Sequence, residues 1–115
     1  MTHPDLSLLT TVRADLENAR RVLVVTGAGI SAESGIPTFR GEGGLWEGPR
    51  PEDLANPAAF RQDPAKIWRW YRWRLEICRG ASPNAAHQVV VDMEHHWKEN
   101  FLLTTQNVDG LHPRA

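Results

Sequence analysis

Cysteine is nearly absent from this sequence, which has one, Cys78, among its 115 residues. A single cysteine excludes both a disulfide framework and a zinc site built from cysteines within the chain. Strong net charge is also missing, because 13 Lys and Arg residues are offset by 14 Asp and Glu residues to give −1 at pH 7. That balance does not favour nucleic acid or an anionic membrane as a partner.

Long hydrophobic runs are lacking as well. No apolar run approaches the length of a membrane span, and the first residues, MTHPDLSLL, lack the basic start and apolar core of a signal peptide. The composition, 41% hydrophobic and 23% charged, is that of ordinary globular material with room for one domain. We therefore expect a cytoplasmic protein without a membrane or nucleic-acid partner.

Convincing strands are few. Short apolar runs at residues 22–25 (VLVV) and 101–104 (FLLT) are typical of buried strands, and each is followed by a glycine-rich or polar turn. A stable parallel sheet normally has more strands, with both faces covered. The sequence therefore predicts an incomplete α/β fold, in which a Rossmann-like parallel sheet with flanking helices forms the first half of a larger domain.

Glycine is abundant after the first predicted strand, since six of the nine glycines lie between residues 27 and 44. Glycine suits backbone that turns with positive φ or approaches a bulky group, and α/β proteins hold phosphates in the loop after a buried strand. Residues 27–32, GAGISA, fit the dinucleotide fingerprint Gly-x-Gly-x-x-Gly/Ala. This loop predicts a nucleotide site.

The end of this loop departs from an ordinary Rossmann turn. Residues 35–37, Gly-Ile-Pro, interrupt the helix that would follow, and Phe39 and Arg40 come next. An aromatic residue that can cover a ring, beside a guanidinium that can fork onto a pyrophosphate, suits a dinucleotide better than a mononucleotide.

Helical patterns occupy much of the remaining chain. Apolar spacing predicts a packing helix over residues 5–20, whereas the prolines of residues 46–57 predict an irregular connection. Asn56-Pro57 and Asp63-Pro64 are typical helix starts, and they predict a short helix through Phe60 and a longer one over residues 64–79. A third start, residues 82–84, precedes a helix whose apolar stripe is expected to cover the sheet; its members are Ala86, Val89, Val90, Met93 and Trp97.

The helix over residues 64–79 carries one charge on its apolar side. Arg74 falls on the apolar face and lies three positions after Tyr71, so the two side chains are neighbours. The other residues of the apolar face are Ile67, Trp70, Ile77 and Cys78. Two interpretations are open. In the first, the guanidinium of Arg74 pairs with an acidic residue of the protein or extends to solvent; in the second, Arg74 and Tyr71 together bind an acidic group of a ligand. A nucleic-acid or membrane role for the WRWYRWR segment is disfavoured because Glu76 interrupts its basic side.

Polar residues follow the second predicted strand, as Gln106, Asn107 and Asp109. If both strands are central, these side chains lie beside the glycine loop, where open α/β sheets bind ligands; the alternative is a simple turn. The histidines at 87, 95 and 96 lack partners at metal-ligand spacing and are interpreted as surface or capping residues.

Two long motifs resemble the signatures of the sirtuins, the NAD-dependent protein lysine deacylases. They are GAGISAESGIPTFRG at residues 27–41 and TQNVDGLHPRA at residues 105–115, and the resemblance runs from about Arg21 to Ala115. It implies that residues 1–115 are the N-terminal portion of a single sirtuin-type catalytic domain that binds NAD and acts on acyl-lysine proteins. The NAD-binding residues that it implies are Gly27, Ala28, Gly29, Ile30, Ser31, Glu33, Thr38, Phe39, Arg40, Trp46, Gln106, Asn107, Val108 and Asp109.

The resemblance also implies individual roles. In sirtuins the positions matching Asn107 and Asp109 engage the ribose and the nicotinamide carboxamide, and Ile30 would close the same pocket. Tyr71 and Arg74 match the Tyr-x-x-Arg pair that binds the acyl carboxylate in the branch that removes succinyl, malonyl and glutaryl groups. Thr38, where many deacetylating sirtuins carry aspartate, agrees with that branch.

The resemblance places the general-base histidine of sirtuins further along than His112, and with it the four zinc-binding cysteines. We therefore expect zinc in the full-length protein, with its ligands beyond Ala115, no catalytic residue within these 115 residues and no turnover by the chain alone. The competing hypothesis is a noncatalytic module that binds NAD or ADP-ribose.

Overall fold

The computed structural model describes residues 4–38 and 50–115. Two parallel strands and seven α-helices occupy these residues, together with the 3-10 turns Ala32–Ser34 and Lys98–Asn100. In chain order the elements are α1 (Leu6–Asn18), β1 (Val22–Thr26), α2 (Ala28–Ser31), α3 (Pro51–Leu54), α4 (Pro57–Gln62), α5 (Pro64–Gly80), α6 (Ala85–Trp97), β2 (Phe101–Thr105) and α7 (Leu111–Arg114).

The two strands pair in parallel with no shift in register, from Val22 opposite Phe101 to Thr26 opposite Thr105. Each strand runs one residue further than the sequence predicts, and the predicted Rossmann-like parallel pair is confirmed. The pairing continues past the strand ends, since the Gln106 amide donates to the Thr26 carbonyl at 3.1 Å. The carboxyl ends of β1 and β2 therefore meet at one edge of the sheet.

The predicted helix starts are confirmed by their caps. Asn56 Oδ1 accepts from the Ala59 amide at 2.8 Å at the start of α4, and Asp63 Oδ1 accepts from the Lys66 amide at 3.0 Å at the start of α5. Side-chain oxygens at these positions bond amides that no helical carbonyl can reach. Asn84 caps α6 in the same way.

One predicted loop contains a helix. Residues 46–57 were expected to be irregular, but α3 forms a single turn at Pro51–Leu54. Proline is tolerated in a first helical turn because its missing amide hydrogen would have no partner there.

Burial is concentrated around α5. Leu54, Ile67 and Trp70 form a buried cluster against Ala59, and Val90 and Leu111 are buried elsewhere in the molecule. The prediction that α1 packs is wrong for this structure, because no residue of α1 is buried and its apolar side borders an open cavity of about 400 Å³ beside Trp97. The expected stripe of α6 is also incomplete, since Val89 is exposed while Val90 is buried.

One face of the sheet is open among the described residues. Leu23, Val25 and Leu102 are each more than 60% exposed, at 61%, 64% and 63%. No helix in residues 4–38 and 50–115 has both the length and the apolar character needed to cross a bilayer.

Candidate functional site

A cavity of about 530 Å³ lies at the carboxyl edge of the sheet. It is lined from three sides, by the glycine loop after β1, by the turn after β2 and by α5. Nine of the residues singled out from the sequence line it, namely Ala28, Gly29, Ser31, Thr38, Arg74, Gln106, Asn107, Val108 and Asp109. The structure therefore brings the two signature motifs and the arginine of α5 to one place.

The glycine loop lines the cavity because it cannot continue as a helix. Helix α2 lasts one turn, and the 3-10 turn that follows ends at Gly35, whose φ of 83° lies in the left-handed region that favours glycine. The reversal of the chain at Gly35 brings Ile36 and Pro37 to the cavity. Neither residue was predicted to belong to the site. Their position in the Gly-Ile-Pro motif, directly after the glycine loop, could have placed them in the site.

Ser31 is the centre of the polar cluster below the cavity and is only 1% exposed. Its hydroxyl donates to Asp109 Oδ2 at 2.7 Å and lies 3.4 Å from Asn107 Nδ2 and 3.5 Å from His87 Nε2. One donated bond and two accepted bonds use the full capacity of a hydroxyl. Ser31 thereby ties the glycine loop to the turn after β2 and to α6.

His87 completes this cluster and is fully buried. Its Nδ1 accepts from the Asn84 amide at 3.1 Å, which assigns the ring proton to Nε2, facing Ser31. Burial, reinforced by the nearby His112, lowers the pKa of His87 below its usual value, although Asp109 opposes the shift. The interpretation of His87 as a capping residue is confirmed but a surface position is wrong, whereas His95 and His96 are exposed as predicted.

Asn107 and Asp109 are both anchored and both retain acceptor capacity. Asn107 Nδ2 donates to the Gly27 carbonyl at 2.8 Å, and among the described residues its Oδ1 makes no hydrogen bond. Asp109 Oδ1 accepts from the Leu111 amide at 3.0 Å and Oδ2 accepts from Ser31. A carboxylate offers about four acceptor positions, so roughly two remain on Asp109.

His112 is engaged at the strand ends instead of being directed into the cavity. Its Nε2 lies 2.8 Å from Thr26 Oγ1, which donates to Thr105 Oγ1 at 2.8 Å. Thr105 Oγ1 also accepts from the Asn107 amide at 3.0 Å. These bonds join α7, β1 and β2 and support the turn that carries Asn107.

Arg74 reaches the cavity from α5 and is half-buried. Its Cζ lies 4.8 Å from the centroid of the Trp70 ring and 5.9 Å from that of Tyr71, so both aromatic faces contact the cation. Cys78, one turn further along α5, lines the same cavity, and burial with the charge of Asp109 raises the pKa of its thiol. Helical spacing from Arg74 could have placed Cys78 in the site.

Other residues expected at the site do not line this cavity. Tyr71 lines a separate cavity of about 370 Å³, formed by the end of α3, by α4 and by the first half of α5. Gly27 and Ile30 contribute backbone carbonyls to the surrounding bonds, the latter accepting from Asn84 Nδ2 at 2.7 Å, and Glu33 is exposed. The expected roles of Phe39, Arg40 and Trp46 lie outside the described residues.

The fold and the cavity together define the class of protein to which the chain belongs. Parallel strands with flanking helices, and polar side chains gathered at the carboxyl ends of those strands, make up part of a Rossmann-like α/β protein. The Sir2 family model matches residues 27–115, which is more than half of the sequence. The chain belongs to the Sir2 family, the family of the sirtuins.

Individual relatives agree with this assignment. An NAD-dependent protein deacylase 2 of Pyrobaculum aerophilum is 54% identical over 100 residues, covering 87% of this chain and 40% of the relative. An NAD-dependent protein deacylase of Thermus thermophilus is 53% identical over 110 residues, covering 93% of this chain and 43% of the relative. The chain thus spans about two fifths of the length of these curated relatives.

A solved structure has a similar fold over nearly the whole of this chain. The crystal structure of a Sir2 homologue in complex with NAD has a TM-score of 0.76 and 50% sequence identity, covering 98% of this chain and 42% of the homologue. The predicted sirtuin fold is therefore confirmed for this portion.

Proposed function

We propose that the full-length protein containing this chain is an NAD-dependent protein lysine deacylase. Residues 1–115 would then be the N-terminal portion of a single catalytic domain, and they would supply part of its NAD site. The observation that carries the proposal is the single cavity lined by the glycine loop, the turn containing Asn107 and Asp109, and Arg74. The names of the relatives, with more than half of the matched residues identical, support the same activity.

The residues present fit a dinucleotide. A volume of about 530 Å³ is within the range of small-molecule sites, and the lining combines glycine backbone with a few polar groups. Among residues 4–38 and 50–115, a Cβ added at Gly29 would meet no atom within 4 Å outside its own helix and chain neighbours, so packing in this part of the chain does not require glycine there. A glycine with this open space is consistent with close approach of a ligand to the backbone.

NAD would supply an ADP-ribosyl group that passes to the acyl-lysine, so that NAD, acyl-lysine and water give nicotinamide, lysine and O-acyl-ADP-ribose. Asn107 Oδ1 would accept a hydrogen bond from a ribose hydroxyl, since its amide nitrogen is already held by the Gly27 carbonyl. Asp109 would accept from the nicotinamide carboxamide with its remaining acceptor positions. We assign no proton transfer to His112, because its Nε2 is bonded to Thr26.

Arg74 would bind an acidic acyl group such as succinyl. A guanidinium stays charged and forks onto a carboxylate, and the Trp70 and Tyr71 rings hold this one at the cavity. Tyr71 lines the neighbouring cavity, so its part in substrate binding is proposed to act through this contact with Arg74.

Zinc enters no step of this proposal. The sequence has one cysteine, and within residues 4–38 and 50–115 no group of three His, Cys, Asp or Glu side chains could hold a metal ion. We propose that the ligands of the zinc expected in the full-length protein lie outside these residues.

An assay with matched peptides tests the function. The full-length protein is incubated with NAD and otherwise identical acetyl-lysine and succinyl-lysine peptides. We expect nicotinamide release that depends on an acylated peptide, together with O-acyl-ADP-ribose. Binding of NAD or ADP-ribose without acyl-dependent nicotinamide release would refute the deacylase and leave the noncatalytic nucleotide-binding module.

Replacement of Gly29 by alanine should separate stability from nucleotide binding. Gly29 lies within α2 and alanine favours helix, so Gly29→Ala should raise the free energy of unfolding by about 0.5 kcal/mol. A methyl group in a space needed by NAD should weaken nucleotide binding by about tenfold or more. Thermal unfolding and calorimetric titration with NAD measure the two effects.

Gly80→Ala is the matched control for this variant. Gly80 also lies in a helix, and a Cβ added there likewise meets no atom of the described part of the chain within 4 Å, but Gly80 does not line the cavity. It should leave NAD affinity unchanged. Equal NAD affinity of Gly29→Ala and the unmodified protein would remove the glycine loop from the nucleotide site.

A further inference from the structure

Arg114 connects two separate parts of the cavity lining. From the last position of α7, its Nη2 donates to the Cys78 carbonyl at 2.9 Å and its Nη1 donates to the Ala81 carbonyl at 3.1 Å. Nη2 also donates to the Asp109 carbonyl at 3.3 Å, and Nε to the Gly110 carbonyl at 3.3 Å. One guanidinium thus bonds four backbone carbonyls in two segments.

The first two carbonyls belong to the end of α5. The last carbonyls of a helix have no helical partner, and a cation near them is favoured by the helix dipole. Cys78 lines the cavity, and Arg74 lies one helical turn before it on the same side of α5. Holding this end of α5 therefore also holds the helix that carries Arg74.

The other two carbonyls belong to the turn after β2. In that turn Asp109 bonds the Leu111 amide through Oδ1, and Gly110 has a φ of 72°, so its backbone is in the left-handed region. Asp109 also lines the cavity. Arg114 lies five residues after Asp109 and 36 residues after Cys78. Its hydrogen bonds therefore join a nearby turn to a helix that is distant in the sequence.

We propose that Arg114 is a positioning residue that fixes the spacing between the Arg74 side of α5 and the Asp109 turn across the cavity. The planar fork of arginine can serve both segments at once, whereas the ammonium of lysine is a single point donor. Arg114 itself lines no part of the cavity, so it acts through the residues that it holds. The expected effect on KM and acyl preference rests on the proposed deacylase function, but the effect on the spacing between α5 and the Asp109 turn does not.

The test compares Arg114→Gln and Arg114→Lys with the unmodified full-length protein. Hydrogen exchange is followed without ligand in peptides covering residues 106–112 and, separately, β1 and β2. KM for NAD, kcat and the succinyl-to-acetyl ratio of kcat/KM are measured well below the unfolding midpoint. Arg79→Gln is the matched control, because Arg79 is an exposed arginine in the last turn of α5.

We expect Arg114→Gln to speed hydrogen exchange in residues 106–112 by about tenfold or more, because the variant loses at least one charge-assisted hydrogen bond. Exchange in the strands should not change. KM for NAD should rise about tenfold and the succinyl preference should fall, with kcat changing less than about threefold. Arg114→Lys should give a smaller change of the same kind. Arg79→Gln should alter none of these quantities.

The positioning role is overturned if exchange in residues 106–112 is unchanged. It is equally overturned if exchange rises uniformly, strands included, while KM and acyl preference stay the same, because Arg114 would then only add global stability. If Arg114→Gln does not fold, Arg114→Lys decides between these outcomes. Should the unmodified protein lack deacylase activity, the proposed function fails while the exchange experiment still decides the role of Arg114.

Discussion

Replacing Arg74 with methionine in the full-length protein is expected to lower kcat/KM for a succinyl-lysine peptide by at least about 30-fold, while kcat/KM for the matched acetyl-lysine peptide changes less than about threefold. The succinyl carboxylate would enter the cavity without a cation, and an unpaired charge is costly to desolvate. Methionine keeps much of the length and packing of the arginine stem beside Trp70. Steady-state kinetics with both peptides at saturating NAD gives the two values.

Arg72→Met is the matched control for this experiment. Arg72 lies on the opposite side of α5, with its side chain 81% exposed and 3.3 Å from Glu76, and it does not line the cavity. Exposed pairs of this kind contribute little, so both peptides should react as before. Equal losses for succinyl and acetyl substrates in Arg74→Met would show that Arg74 does not select the acyl group.

Asp109→Asn is expected to raise KM for NAD and the nicotinamide inhibition constant together, each by about tenfold or more. Asparagine can keep the bond from the Leu111 amide with its oxygen. Its NH₂ group cannot replace the acceptor that the Ser31 hydroxyl now has, because Ser31 Oγ already accepts from Asn107 and His87, so the contact with Ser31 is weakened. Because the Leu111 bond is kept, the turn should remain folded. What would be lost is the acceptor and the negative charge that the carboxylate is proposed to offer to the carboxamide.

The control for charge alone is Asp92→Asn, because Asp92 is exposed on α6 and does not line the cavity. It should leave both constants unchanged. If Asp109→Asn preserves KM for NAD and nicotinamide inhibition while the protein remains folded, Asp109 supports the turn and has no contact with the nicotinamide.

Local signals were sufficient for much of this fold. Both strands, the caps at Asn56 and Asp63, and the interruption at Gly35 depend on residues close together in the sequence, and each was predicted. The meeting of Gly29 with Asp109 needed one more rule, that parallel strands place their carboxyl ends at one edge. That rule places the eight predicted residues of the two loops at one edge of the sheet, whereas Arg74 on α5 was assigned to the site through the sirtuin resemblance.

The remaining features depend on packing that sequence spacing does not encode. His87 was interpreted as a surface or capping residue; it caps α6 but is buried, which is possible because its two nitrogens have partners on Asn84 and Ser31. Tyr71 and Arg74 are neighbours on α5, about 60° apart around the helix axis, yet they line different cavities. Tyr71 lies on the side of α3 and α4, and Arg74 lies on the side of the glycine loop. The four carbonyl contacts of Arg114 likewise follow from the three-dimensional placement of α5 and α7.

The central claim is that the glycine loop after β1 and the polar turn after β2 face each other across bound NAD. A crystal structure of the full-length protein with NAD tests it most directly. We predict that NAD occupies the cavity beside Gly29, with its nicotinamide ribose within hydrogen-bond distance of Asn107 Oδ1 and its carboxamide against Asp109. A nucleotide that leaves this cavity empty, or that contacts only one of the two segments, would contradict the account.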